Sequence, residues 1–159
     1  MKEVKRPILV SACLLGIQCA YDGRGRIDPY VFAISTNETL IPICPEQLGG
    51  LSTPRPPAEI VNGTGADVLD GKASVVTING EDTTINFLKG AEETVWIARL
   101  VGATSVILRP NSPSCGFDTI YDGSFSNHKI NGDGVTTALL KREGIQIFNL
   151  KERNKIEDE

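Results

Sequence analysis

Apolar and polar positions along the chain fall into four short apolar runs separated by two longer patterns with helical spacing. Residues 7–12, Thr39–Cys44, Ser105–Arg109 and Ile145–Leu150 are compact runs of the kind that form buried strands. Between them, Thr84–Val101 places Leu88, Ala91, Val95, Ala98 and Val101 three or four residues apart, which predicts a helix with one apolar face. Thr83 or Thr84 suits its start and Gly102 its end. A second helix is predicted over Asp133–Arg142, stopped at Gly144, and a short one from Asp28-Pro29 to about Ser35. Glu59–Asn62 and Ser74–Ile78 read as short strands around the Gly-rich stretch 63–72, with a turn at Asn79-Gly80. Residues 45–58, with three prolines in the second half, are expected to be a stiff irregular loop, and 117–131 a polar loop.

Strands alternating with helices predict an α/β fold: a three-layer sandwich with a mainly parallel sheet, Rossmann-like. At 159 residues the chain is expected to form one domain, with a core over about 7–150 and a charged tail at 151–159. In such sheets ligands sit outside the carboxyl ends of the strands. That places weight on three residues. Cys13, Cys44 and Cys115 each follow a predicted strand on the same rim.

Composition narrows the chemistry. A net charge of −4 with no long basic run argues against a general nucleic-acid binder. No apolar run is long enough to span a bilayer, and the N-terminus leads straight into a strand-like run, so no membrane partner and a cytoplasmic location are expected. Four cysteines in such a compartment point to buried, reactive or metal-bound thiols rather than disulfides. There is no Cys-x-x-Cys pair, and a single histidine, His128, leaves little room for histidine-based metal chemistry.

Three thiolates on one rim suit zinc, copper(I) or an iron–sulfur cluster, although a buried cysteine is more commonly a small apolar core residue. Glu46 lies two residues after Cys44, and in an extended segment the two side chains share a face, which makes Glu46 a candidate general base. Ser112 and Ser114, just before Cys115, are candidate hydrogen-bond donors to a substrate or a cluster, or plain turn residues. Arg55, Glu59 and Asp22 are further polar candidates, each better explained structurally.

The motifs together go further. Ser-Ala-Cys-Leu-Leu-Gly from Ser11, Tyr21-Asp22-Gly23, Cys44-Pro45-Glu46 with Gly49-Gly50-Leu51, Pro54-Arg55-Pro56-Pro57-Ala58-Glu59-Ile60, and Ser112-Pro113-Ser114-Cys115-Gly116 occur in this order. Gly132-Asp133-Gly134-Val135-Thr136-Thr137 follows. The set resembles the thiouracil desulfidase family, a bacterial family, over about residues 7–147. The resemblance implies a [4Fe-4S] cluster held by Cys13, Cys44 and Cys115, and non-redox desulfuration of a small thiolated nucleobase such as 4-thiouracil to uracil and hydrosulfide. It also implies Glu46 as the base that activates water and Ser112 as a residue that positions or protonates the substrate. Cys19 is left outside the ligand set. Two other readings compete: a non-catalytic iron–sulfur or zinc protein that binds or senses, which has no need of Glu46, and a cysteine hydrolase, which needs Cys115 within hydrogen-bond reach of His128.

Overall fold

The computed structural model describes residues 4–148 and 150. Its centre is a four-stranded sheet made of β1 (Ile8–Ser11), β2 (Leu40–Ile43), β5 (Ser105–Ile107) and β8 (Gln146–Phe148), in the order β2-β1-β5-β8. All three pairings are parallel, with Leu9 opposite Ile41 and Val106, and Val106 opposite Ile147. Parallel strands need crossovers long enough to hold a helix, and the intervening segments supply them. They contain α1 (Pro29–Ile34), α4 (Thr84–Val101) and α5 (Val135–Arg142).

Successive strand residues point to opposite faces, so each central strand feeds two cores. Leu9 and Val106 pack with Val95 and Ala98 of α4 and Leu140 of α5. Val10 and Ile107 pack on the other face with Val31 of α1. The result is the expected three-layer α/β sandwich, and the near-continuous apolar strands are the mark of a sheet covered on both sides. Asp28 caps α1, accepting from Tyr30 N at 2.9 Å, with Pro29 in the first helical position.

A third cluster lies beside the sheet, where Ile60, Val75, Phe87, Ala91, Ile120 and Val135 meet. Here β3 (Ala58–Val61) pairs antiparallel with β4 (Ser74–Thr77), and β6 (Thr119–Tyr121) with β7 (Lys129–Asn131). Two of these differ from the sequence expectation. The Gly-rich stretch holds α3 (Gly65–Leu69), where Asp67 reaches back to accept from Thr64 N at 2.8 Å. Residues 117–131 contain the β6–β7 hairpin rather than loop alone. Residues 45–58 also open with order, in α2 (Pro45–Leu48). The last strand is shorter than expected, and the charged tail lies outside the described residues.

From β1 the chain crosses outward to β2, then returns past β1 to β5 on its other side. That reversal is a topological switch point, and the crevice it opens faces the carboxyl ends of the strands.

Candidate functional site

Each proposed thiol is placed by the way its strand ends. After Ser11, a 3-10 turn over Ala12–Leu15 carries Cys13, and Gly16, at φ 87, stops it by donating its N–H to Cys13 O at 3.0 Å. That φ belongs to the left-handed region, which glycine enters freely. β2 runs into Cys44, whose backbone caps α2 with Pro45 at the first helical position. The short α2 is held close against α4: a Cβ on Gly90 would lie 1.9 Å from Pro45 O, and one on Gly49 would lie 2.0 Å from Asn86 O. Neither position admits a side chain, so the glycines set the depth at which Cys44 and Glu46 enter the crevice.

Cys19, 2% exposed, packs with Cys13 and Cys44, and its backbone carbonyl accepts from Cys44 Sγ at 3.7 Å. The contact with Cys19 holds Cys13 below the ordinary thiol range, against the effect of burial, and the positive charge of Arg109 adds to it. Contact with the Cys19 thiol, aided by the Gln47 backbone N–H and by Arg55, lowers Cys44 to about 6, again against burial. The cost falls on Cys19, whose proton is held by one neighbour or the other and by burial, so that its pKa is raised.

Cys115 belongs to the opposite wall. Ser11 Oγ accepts from Arg109 N at 2.9 Å and so ties the end of β1 to the segment leaving β5. Ser112 Oγ then accepts from Ser114 N at 3.1 Å and Cys115 N at 2.9 Å, folding Ser112–Cys115 into a turn. Val135 N and Thr136 N donate to Pro113 O and Ser114 O at 2.8 and 3.0 Å, locking that turn onto the start of α5. Burial pushes the Cys115 thiol up to about 12, only partly offset by hydrogen bonds from Ser11 and Ser114. Ser114 contacts both Cys115 Sγ at 3.7 Å and Thr136 Oγ1 at 3.2 Å.

Glu46 reaches the crevice from the first turn of α2 and not from an extended segment, because Pro45 turns the chain helical immediately after Cys44. Its Oε2 accepts from Arg55 Nε at 2.7 Å and also from Nη2. The pair is nearly enclosed, with Arg55 6% and Glu46 15% exposed. Oε1 makes no hydrogen bond among the described residues.

Cys13, Cys19, Cys44, Glu46, Arg55, Arg109, Ser112 and Cys115 all line one cavity of about 1140 Å³. Tyr121 and Phe125, of the β6–β7 hairpin, line it as well. Glu59, from β3, fixes that loop by accepting from Gly123 N at 3.0 Å and Phe125 N at 3.2 Å. The three cysteines, Glu46, Ser112 and Ser114, singled out from the sequence, therefore share one cavity. His128 does not pair with Cys115: it contacts Ser126 Oγ at 3.0 Å on the exposed side of the hairpin. Among the described residues no three His, Cys, Asp or Glu side chains are close enough to hold a single metal ion. A polynuclear cluster has a less compact requirement, since each thiolate binds a different metal at a different corner. The all-thiol donor set is soft, and two of its members, Cys13 and Cys44, are lowered, which fits iron–sulfur chemistry better than hard cations.

Arg109 had no role in the sequence reading and Arg55 only a structural one. Arg109 sits two residues past the end of β5, on the rim where the cysteines appear, and that position is the signal that was there to read. Arg55 had no such signal, because its partner lies nine residues away across a proline-rich loop.

A family model described as 2-thiouracil desulfurase matches residues 8–152. YbbK, an uncharacterized protein of Bacillus subtilis (strain 168), is 48% identical over 149 residues, covering 94% of this chain and 99% of its own. Among solved structures, the [4Fe-4S]-dependent thiouracil desulfidase TudS superposes with a TM-score of 0.81 at 40% identity, over 95% of each chain.

Proposed function

The chain belongs to the 2-thiouracil desulfurase family, and on that premise we propose that it removes sulfur from a thiolated nucleobase such as 4-thiouracil. The reaction is non-redox: the thiocarbonyl carbon gains oxygen from water, the C–S bond breaks, and uracil and hydrosulfide leave. The observation that carries this reading is that Cys13, Cys44 and Cys115 follow three adjacent parallel strands into one cavity that also holds Glu46.

In this reading Cys13, Cys44 and Cys115 are the ligands of a [4Fe-4S] cluster like that of TudS. Held by these residues, the cluster would supply Lewis-acid chemistry, polarising the C–S bond and stabilising the departing sulfide. Cys19 stands outside the set in this reading, because it follows no strand, whereas Cys13, Cys44 and Cys115 each leave the end of one. The single S–H of Cys19, beside Cys13 and Cys44, favours a thiolate on one or the other.

Glu46 is the general base. Arg55 occupies Oε2, so Oε1 takes the proton from water as its oxygen attacks the carbon. Ser112 accepts two backbone N–H groups, which leaves its own O–H free to donate to the substrate ring. Phe125 and Tyr121, which line the cavity, exclude water around a planar base. A cysteine hydrolase has no support here, since Cys115 has no imidazole partner and holds its proton tightly.

The decisive experiment is anaerobic purification with iron and sulfide analysis, followed by incubation with 4-thiouracil and detection of hydrosulfide. Iron near four per chain and stoichiometric uracil and hydrosulfide are expected. A protein that stays free of iron after anaerobic reconstitution overturns the reading. Iron without turnover favours the sensor alternative.

A further inference from the structure

Arg55 has all five of its N–H donors engaged. Nε and one Nη2 hydrogen go to Glu46 Oε2, and the second Nη2 hydrogen goes to Cys19 O at 2.9 Å. Nη1 donates to Ser52 O at 3.3 Å and Thr53 Oγ1 at 3.1 Å. Its backbone N–H is also used, on Tyr21 O at 2.8 Å. A guanidinium has five donors in a rigid planar fork, so a fully engaged one has no rotational freedom left. Thr53 is itself held, since its hydroxyl accepts from Gln47 Nε2 at 2.8 Å, and Gln47 follows Glu46 on α2. The guanidinium thus closes a ring: α2, the Ser52–Arg55 loop, and the segment carrying Cys19.

We propose that Arg55 is the positioning residue of this site, fixing one oxygen of Glu46 so that only the other, Oε1, is offered to water. This deepens the reading given above and rests on Glu46 being its base. A glutamate has three side-chain torsions, and without a partner it samples several rotamers across a cavity this large. Two donors on the same oxygen remove that choice. The third contact, to Cys19 O, refers the carboxylate to the wall that carries Cys13, so base and sulfur site are set in one frame. A lysine keeps the charge but has no fork, and cannot hold Glu46 and the Cys19 carbonyl in a common plane.

The test is a mutant cycle on the anaerobically reconstituted protein, with Arg55→Lys, Glu46→Gln and the double variant. Arg55→Lys is expected to lower kcat about a hundredfold, the scale of a misplacement near one ångström. KM and iron content stay within about twofold of the parent, because in this proposal Arg55 acts on the base and not on substrate or metal. In the Glu46→Gln background, Arg55→Lys adds nothing further. An unchanged kcat, a loss confined to KM, or a full hundredfold effect persisting without Glu46 overturns the proposal. If Arg55→Lys does not fold, Thr53→Val, which removes one outer acceptor, takes its place: a several-fold lower kcat that disappears in Glu46→Gln supports the proposal, and an unchanged kcat overturns it. Crystal structures of the parent and the folded variant provide a readout independent of turnover. Glu46 is expected in one rotamer in the parent and in more than one in the variant. If the parent makes no hydrosulfide, the desulfidase reading fails on its own, and the rotamers alone decide whether Arg55 positions Glu46.

Discussion

On the wall formed by β1 and β2, Cys13 and Cys44 pack against Cys19 and lie near Arg109 and Arg55, and both thiols are lowered. On the wall that leaves β5, Cys115 is packed among Ser11, Ser114 and apolar neighbours, and burial, with smaller contributions from the negative charge of Glu46 and Cys13, raises it to about 12. Three cysteines that look equivalent as residue types at strand ends therefore differ in how readily they ionise. The first wall is prepared for charge before anything binds. The second is dry and rigid, and its thiolate forms only when a cation arrives to hold it, because the metal replaces the proton. The difference follows from packing. Cys115 packs against the core shared with α4 and α5, whereas Cys44 caps α2 and remains half-buried.

The largest expected effect tests whether both walls are needed. Cys13→Ser, Cys44→Ser and Cys115→Ser are each expected to drop iron content after reconstitution to near background, with loss of the visible absorbance, while Cys19→Ser keeps its iron. The comparison breaks if Cys115→Ser retains a full complement and Cys19→Ser does not, for then the metal belongs to the first wall alone. Next in size is Glu46→Gln, expected to retain iron and lose about 10²- to 10⁴-fold in kcat, the usual worth of a general base. Unchanged turnover in this variant removes Glu46 from the chemistry and leaves the first wall as a binding surface.

A pH titration of the cluster-free protein sharpens the contrast further. A thiol reacts as its thiolate, so its alkylation rate rises as pH passes upward through its pKa. Cys44, lowered to about 6, is expected to reach half its limiting rate of iodoacetamide alkylation near that pH and to be modified first at pH 7. Cys115, raised to about 12, stays unmodified to pH 9. Peptide mass spectrometry after timed quenching assigns each site. Equal rates for the two at pH 7 dissolve the difference between the walls.

The sequence made this rim readable for a simple reason. Buried parallel strands are short continuous apolar runs, and Cys13, Cys44 and Cys115 each follow one, so the rule that ligands gather at carboxyl ends brought them together without any knowledge of strand order. The α4 pattern was legible because its buried face, from Phe87 through Ala91 and Val95 to Ala98, runs for about three turns. What escaped was short or distant. β6 and β7 are three residues each, and only Ile120 of their six residues is deeply buried, so no alternation had room to develop. In α3 the signal was present in Thr64 and Asp67, three apart as in a capping box, but five helical residues inside a Gly-rich stretch do not build a face. The Arg55–Glu46 pair and the sharing of Cys19 are contacts between segments, which residue spacing does not encode.

The smallest expected effect concerns Ser112, whose hydroxyl has two separable duties. As an acceptor it shapes the turn that presents Cys115, and on the opposite wall the corresponding turn is closed by backbone alone, with Gly16 N donating to Cys13 O. Ser112→Ala removes the acceptor for two N–H groups and is expected to cost about 1 kcal/mol in urea unfolding of the cluster-free protein. If its O–H also donates to the substrate, kcat/KM falls about tenfold as well, the worth of one such hydrogen bond. Ser112→Thr keeps both duties and is expected to recover most of each loss. A stability loss with unchanged kcat/KM assigns Ser112 to the turn alone. Recognition of the substrate then falls to the first wall and the hairpin side, and the β5 wall is left with one role, to hold Cys115 in a place where only a metal can ionise it.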